Sequence, residues 1–208
     1  KKQREVAPFV KAVKAEITTA QQQGRALLRT MIPTLEDVRK LARGILARTA
    51  LKQVNPYHYS VAARQASKHA TAALAKQDYL DAGLFKQREL LNLALFREAL
   101  IIKERVESVH ALAKDFGKPD ATLAKSRNVD LINVGRAILA QYGLARPVEK
   151  TAADYLKPIL TYDKDLYDQW KPQVDALAPR PLDYNALTVE EFTTLFDDLQ
   201  ALWLLSRR

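Results

Sequence analysis

The feature that most constrains this chain is a stretch of 38 residues, Tyr79 to Phe116, which contains no proline and a single glycine, Gly83. As an α-helix it would be roughly 57 Å long. Apolar side chains recur along it at helical spacing, namely Leu84, Leu91, Leu95, Ile102, Val106, Val109 and Ala113, with a second line of Leu93, Phe96 and Leu100. A helix with apolar side chains on several faces is covered by neighbours on several sides. We therefore predict that 79–116 forms a buried central helix.

Start and stop signals divide the rest of the chain into further helices. The predicted helices cover 5–30, 35–46, 56–76, 120–127, 129–143, 164–178 and 189–208, and their predicted N-caps include Thr34, Asn55, Asp78, Asn128, Asp163 and Thr188. Residues 178–181 form a proline-rich linker. No segment alternates with a period of two over a length typical of a strand. The predicted fold class is all-α, an irregular multi-helix bundle around one long central helix.

Net charge is distributed unevenly along the 208 residues, which suit one domain or one domain with a smaller appendage. Residues 1–150 carry 27 Lys and Arg against 14 Asp and Glu, whereas 151–208 carry 6 against 10. We predict a basic bundle over 1–146 and an acidic, proline-interrupted helical extension over 147–208 that packs on it. This asymmetry indicates either an acidic partner for the first part or contact between the two parts.

Other bulk features exclude several classes of protein. The chain has no cysteine, which excludes a disulfide framework and thiolate catalysis. Its longest apolar run is far shorter than the roughly 18 residues that a membrane span needs. No secretory signal is visible at the start. The chain begins and ends within helical patterns, which predicts a piece of a longer protein.

The residue types used in catalysis and metal binding do not form a recognisable constellation. His58, His69 and His110 fall on separate predicted segments, and none has a partner at metal-ligand spacing. Asp163, Asp165 and Asp168 lack the glycine and the glutamate of a calcium loop and suit the first turn of a helix instead. We predict no catalytic residue, no metal and no cofactor, and therefore a protein that is not an enzyme.

Basic residues recur in pairs four residues apart, as Arg25 and Arg29, Arg39 and Arg43, Arg48 and Lys52, and Arg64 and Lys68. Like charges at this spacing destabilise a helix slightly unless an acidic group is close. The pairs are compatible with a solvated face, with contact to a nucleic-acid backbone, or with docking on an acidic protein surface. Aromatic residues are not interleaved with them, so the pattern does not indicate base stacking on an aromatic platform.

Three stretches carry a resemblance to a known family. They are residues 55–99, with a tyrosine, an alanine-rich basic helix, a Gln-Asp turn and a following Leu-Leu-Asn; residues 126–144, with VDLINVGRAILAQYGL; and residues 187–208, with LTVEEFTTLFDDLQALWLLSRR. In these features the chain resembles a helical region of the large polyvalent, multi-domain proteins of tailed phages and mobile elements. Residues 66–99 alone also resemble one tetratricopeptide unit, but no second unit follows at that period.

The resemblance implies a non-catalytic helical interaction domain within a larger virion protein that is ejected with the genome. Its expected partners are other domains of the same polypeptide or virion proteins, and its expected location is the virion, the bacterial host cytoplasm or both. The alternative function is a helical module that binds the phosphate backbone of DNA or RNA through the eight paired basic residues.

Overall fold

The computed structural model describes residues 2–118, 126–177 and 181–208, with side chains from Val10 onward except that of Ser126. Within these ranges it contains eight α-helices: α1 (Lys2–Met31), α2 (Leu35–Ala47), α3 (Pro56–Ala75), α4 (Tyr79–Gly117), α5 (Ser126–Gln141), α6 (Ala152–Leu156), α7 (Lys164–Asp175) and α8 (Val189–Ser206). Short 3-10 helices cover Leu51–Gln53, Lys157–Thr161 and Tyr184–Ala186. The described ranges contain no β-strand, and the all-α prediction is confirmed.

Side-chain caps explain where several helices begin. The Asn55 side chain accepts a hydrogen bond from the Tyr57 amide at 3.0 Å, which satisfies a backbone donor that the first turn of α3 leaves open. The Asp78 carboxylate does the same for α4, through the Asp81 amide at 3.1 Å. At α8, Thr188 and Glu191 form a reciprocal capping box. The Thr34 and Asp163 caps are likewise confirmed.

The prediction that Asn128 is an N-cap is wrong. Helix α5 begins at Ser126, so Asn128 lies inside the helix, where only 7% of it is exposed. Helix α6 was not predicted, although Thr151 and Asp154 form a capping box at its start. Residues 120–125 of the predicted helix over 120–127, and residues 178–180 of the predicted linker, lie outside the described residues.

The central position of α4 is confirmed, but its predicted apolar lines are only partly buried. Of the first apolar line, Leu95, Ile102 and Val109 are buried as expected, whereas Leu84 is 51% exposed. Leu93 and Leu100 of the second line are 46% and 39% exposed. Small residues fill much of the buried surface instead, and they are Ala82, Ala94 and Ala99. Small side chains let the neighbouring helices approach α4 closely at these positions. The face of α4 that its neighbours bury is narrower than the face that its apolar residues predict.

The chain forms two compact units, and the division between them falls within α4. The first unit consists of Lys1–Leu46 and Asn55–Leu100. Its core is built from α2, α3 and the first part of α4, and α3 contributes only alanines to it: Ala63, Ala66, Ala70 and Ala73. Helices α3 and α4 are joined by a tight turn, in which Gln77 adopts a positive φ of 59°.

The second unit consists of Ala47–Val54 and Ile101–Arg208. Helix α5 packs against α6 and α8 and buries Leu131, Val134 and Leu139 completely. The segment 47–54 joins this unit through backbone hydrogen bonds, including one from the Leu51 amide to the Leu187 carbonyl at 2.7 Å. Helix α5 precedes position 147 and packs against α6 and α8, which follow it. The division into a basic bundle over 1–146 and an acidic extension over 147–208 stays a prediction, and the two compact units divide within α4.

Tyr184 gives the second unit a testable dependence on pH. Its ring meets those of His110 and Phe192 edge-on, at centroid distances of 6.1 and 6.0 Å, and the residue is 8% exposed. Among the described residues its hydroxyl has no hydrogen-bond partner. Burial raises the pKa of Tyr184 from 10.0 to about 12. As pH rises, Tyr184 therefore loses its proton in the unfolded chain before it does so in the folded protein. The contribution of Tyr184 to the free energy of unfolding is present below pH 10 and is lost as pH rises toward 12.

Between about pH 9 and about pH 11, we expect the free energy of unfolding of Tyr184→Phe to fall less than that of the parent protein, by about 1 kcal/mol. Urea unfolding at the two pH values measures this difference. Tyr57→Phe is the control for removal of a tyrosine hydroxyl; because Tyr57 is 70% exposed, its free energy of unfolding at pH 9 should stay within about 0.5 kcal/mol of the parent value. An alkaline loss in Tyr184→Phe equal to that of the parent would contradict the assignment.

Candidate interaction surface

The structure distributes the candidate catalytic side chains over separate places. His58 is exposed near the start of α3, His69 stacks on Phe85, and His110 lies against Tyr184. Asp163 caps α7, and Asp168 pairs with Lys164 one turn earlier in that helix. No cluster of three or more potential metal ligands occurs in the part of the chain that the structure describes. These groups thus have local structural partners rather than a shared site.

The positive charge belongs almost entirely to the first unit. That unit contains 16 Lys and Arg against 8 Asp and Glu, a net charge of +8 out of the +9 of the whole chain. The second unit is close to neutral, with 17 basic and 16 acidic residues. A field of one sign over one unit favours partners of the opposite charge and accelerates their association.

The eight predicted nucleic-acid-binding residues are not all members of one unit. Arg25, Arg29, Arg39, Arg43, Arg64 and Lys68 belong to the first unit, and Arg39 is the half-buried member of this set. Arg48 and Lys52 belong to the second unit. These two do not share a helix, because α2 ends at Ala47 and Lys52 lies in a 3-10 helix.

One of the paired basic residues has an acidic partner. The Arg43 Nε lies 3.1 Å from a carboxylate oxygen of Glu98, whose side chain is only 12% exposed. The Arg43 side chain remains 66% exposed, so this ion pair orients the guanidinium and leaves much of it available to solvent. Among the described side chains, the other seven predicted residues form no ion pair with a carboxylate.

Apolar side chains accompany the basic ones on the first unit. Its exposed large hydrophobic residues are Val10, Ile17, Leu27, Ile32, Leu35, Leu41, Ile45, Tyr57, Leu74, Leu80, Leu84, Leu93 and Leu100. Among the described residues of the second unit, the corresponding set is Val129, Leu160, Tyr162 and Leu204. Single exposed hydrophobic residues are normal on a protein surface, but their concentration on one unit is typical of a surface that contacts another macromolecule.

A groove of about 330 Å³ between α3 and α4 adds polar groups to this surface. The ring of His69 stacks on Phe85 with centroids 5.0 Å apart, and Gln65, Arg88 and Asn92 also line the groove. Ala62 and Ala66 leave the space open. The lining contains hydrogen-bond donors and a cation but no carboxylate, so the groove is suited to an anionic or amide group.

The second unit has a different cavity, of about 440 Å³, between α5, α6 and α7. Apolar residues dominate its lining, and they include Ala137, Ala152, Val174 and Leu177. Thr151 and Gln141 are the polar side chains that line it. Neither cavity was predicted from the sequence, although the alanines that make room for them are visible there.

Comparison with protein-family models, with curated proteins and with solved structures gives no match to this chain. Among the described helices, none combines the length and the apolarity that a bilayer crossing requires.

Proposed function

We propose that this chain is a non-catalytic helical interaction domain that binds an acidic protein partner through its first unit. The observation that carries the proposal is the coincidence, on one unit, of a net charge of +8 with most of the exposed large hydrophobic side chains. Charged groups steer a partner and select its sign, whereas apolar contacts supply most of the affinity. The groove between α3 and α4 suits the same kind of partner, because its lining offers donors without a carboxylate.

The wider setting of this proposal is a larger phage or mobile-element protein that is carried in the virion and ejected with the genome. The resemblance of residues 55–99, 126–144 and 187–208 to the large polyvalent proteins supports it. In that setting, the acidic partner is another domain of the same polypeptide or a virion protein.

A second candidate function is binding of a nucleic-acid phosphate backbone. It is favoured by the exposed, ion-pair-free basic residues of the first unit, such as Arg25, Arg64 and Lys68. The exposed apolar residues weigh against it, since phosphate contacts use cations and hydrogen-bond donors. A protein that binds the phosphate backbone loses affinity steeply as salt increases. The logarithm of its binding constant falls against the logarithm of the salt concentration with a slope of about −0.9 for each phosphate neutralised on duplex DNA.

Two measurements on the purified chain test these functions. In the first, the immobilised chain is exposed to bacterial and virion extracts, and bound proteins are cross-linked and mapped by mass spectrometry. We expect a retained acidic protein with cross-links to residues of the first unit. Retention through the second unit, or retention of no protein, would contradict the proposal.

In the second measurement, gel-shift titrations use duplex and single-stranded DNA at two salt concentrations. The Arg64→Glu, Lys68→Glu double variant is compared with Lys171→Glu, because Lys171 belongs to the second unit and already pairs with Asp175. A salt-sensitive shift that only the double variant abolishes would favour the nucleic-acid function. The absence of a shift at low salt would exclude it.

A further inference from the structure

Helix α1 runs parallel to α4 along part of its length. The Gln21 side chain donates to that of Gln77 at 3.3 Å, and the Gln87 side chain donates to the Met31 carbonyl at 2.6 Å. Residue numbers therefore increase together on the two helices. Because α4 begins at Tyr79, the part of α1 that precedes Gln21 extends beyond the start of α4.

Glycines bring the two helices into close contact where they overlap. A Cβ atom at Gly24 would lie 2.7 Å from the Tyr79 Cγ, and one at Gly83 would lie 2.7 Å from the Met31 Cε. Such separations are impossible for real side chains, so both positions require glycine unless the neighbouring side chains move. The Gly24 face of α1 is thus the face that packs against another helix.

The same face continues along α1 beyond this contact. At about 100° per residue, the following positions all lie within about 40° of Gly24 around the helix: Val10, Val13, Ile17, Ala20, Leu28 and Met31. Val10 is 41% exposed and Ile17 is 50% exposed, whereas Val13 is half-buried. We call the segment 10–20 the α1 seam; its length is about 16 Å. Its apolar face continues the face that α4 covers further along, and the described residues leave Val10 and Ile17 of this face exposed.

Charge indicates what kind of helix would cover the seam. Over the seam itself, α1 carries Lys11 and Lys14 against the single acid Glu16, a net charge of +1, and Arg25 and Arg29 follow further along the helix. A second copy of the chain would bring the same charge, together with another first unit of +8. Like charges facing each other oppose such pairing, whereas an acidic helix is attracted.

We propose that the α1 seam is the docking site for an acidic amphipathic helix of a partner protein. This inference rests on the proposed function and specifies its partner: a helix with apolar residues at alternating steps of three and four, flanked by Asp or Glu. The docked helix packs on Val10, Val13 and Ile17 as α4 packs on Gly24 and Met31. Its acidic side chains approach Lys14, which lies about 80° around α1 from Gly24.

A synthetic peptide tests the docking site directly. The probe is a three-heptad helix with Ile and Leu at its apolar positions and Glu on both flanks; the control peptide has Lys on both flanks. Fluorescence anisotropy with the full chain measures binding. We expect the acidic peptide to bind and the basic one to fail. The Val10→Ser, Ile17→Ser double variant should weaken binding by about tenfold or more, since two buried aliphatic side chains are lost.

The matched control is the Leu160→Ser, Leu204→Ser double variant, which removes two exposed leucines of the second unit. It should bind the acidic peptide as the parent does. Circular dichroism should show unchanged helicity in both double variants, because all four positions are exposed.

Several results would overturn the inference. Equal binding of the two peptides, binding that the seam variant retains, or no binding of the acidic peptide would each do so. Light scattering that shows a dimer which Ile17→Ser dissociates would assign the seam to a second copy. Sedimentation with anionic vesicles that Ile17→Ser abolishes would assign it to a lipid surface. Capture of an acidic protein that the seam variant preserves would refute the docking site while leaving the proposed function intact.

Discussion

Replacing Phe116 with alanine is expected to lower the free energy of unfolding by about 3–5 kcal/mol. Phe116 is completely buried near the end of α4, and its ring meets that of Trp203 in α8 edge-on at a centroid distance of 5.1 Å. The Arg136 side chain also donates a hydrogen bond to the Phe116 carbonyl, which holds the end of α4 against α5. Removal of the ring leaves a cavity that a close-packed core fills only in part.

Urea unfolding followed by circular dichroism measures the effect of this substitution. Leu84→Ala is the control, because Leu84 lies in the same helix and is 51% exposed; its change should stay within about 0.5 kcal/mol. If Phe116→Ala does not fold, Phe116→Leu provides a smaller loss that remains measurable. Equal unfolding midpoints for the Phe116 and Leu84 variants would show that Phe116 is not a core residue.

Gly135→Ala is expected to destabilise the protein by about 1–3 kcal/mol, although alanine is the better helix former. A Cβ atom at Gly135 in α5 would lie 2.7 Å from the Phe116 Cζ. The ring is fully buried and cannot move aside into solvent. The close approach of α5 to α4 therefore requires the absence of a side chain at this position.

Gly44→Ala is the matched control for Gly135→Ala and should have the opposite sign. Gly44 lies in α2, and a Cβ atom there would meet nothing within 4 Å. Alanine should stabilise the protein there by about 0.5–1 kcal/mol, because it restricts the unfolded chain more than glycine does. Destabilisation by both substitutions would contradict the packing difference. The double variant Gly135→Ala, Phe116→Leu should recover part of the lost stability, since the two side chains share one space.

The sequence alone predicts features that depend on neighbouring residues along the chain. The caps at Asn55, Asp78 and Thr188 are confirmed because each side chain bonds an amide two or three residues later. Asn128 shows the limit of such signals. An asparagine can cap a helix or occupy a buried position inside one, and only the packing of α5 distinguishes the two.

Periodicity predicted the existence of the central helix better than it predicted its buried face. Leu93 and Leu100 follow an apolar line yet are exposed, whereas Ala94 and Ala99 are buried. Leucine is more hydrophobic than alanine, but only a small side chain fits where two helices pack closely. Which side chains of α4 are buried therefore depends on where the neighbouring helices pass, and the spacing of residues along one helix does not contain that information.

The sequence shows which basic residues could form the candidate surface, but it does not show which of them belong to the same unit. All eight paired basic residues are visible in the sequence, but the sequence does not reveal that Arg48 and Lys52 belong to a different unit from the others. It also does not pair Arg43 with Glu98, because these residues are far apart along the chain.

The sequence by itself determined the all-α class, the long central helix, most of the helix starts and the excess of positive charge. These properties arise from residues within a few positions of one another or from composition. The tertiary structure alone decided that the division between the units falls inside α4, that Gly24 and Gly135 lie against aromatic rings, and that the apolar face of α1 continues past the helix that covers it. Each of these depends on contacts between segments distant in sequence, and such contacts form only when the whole chain packs.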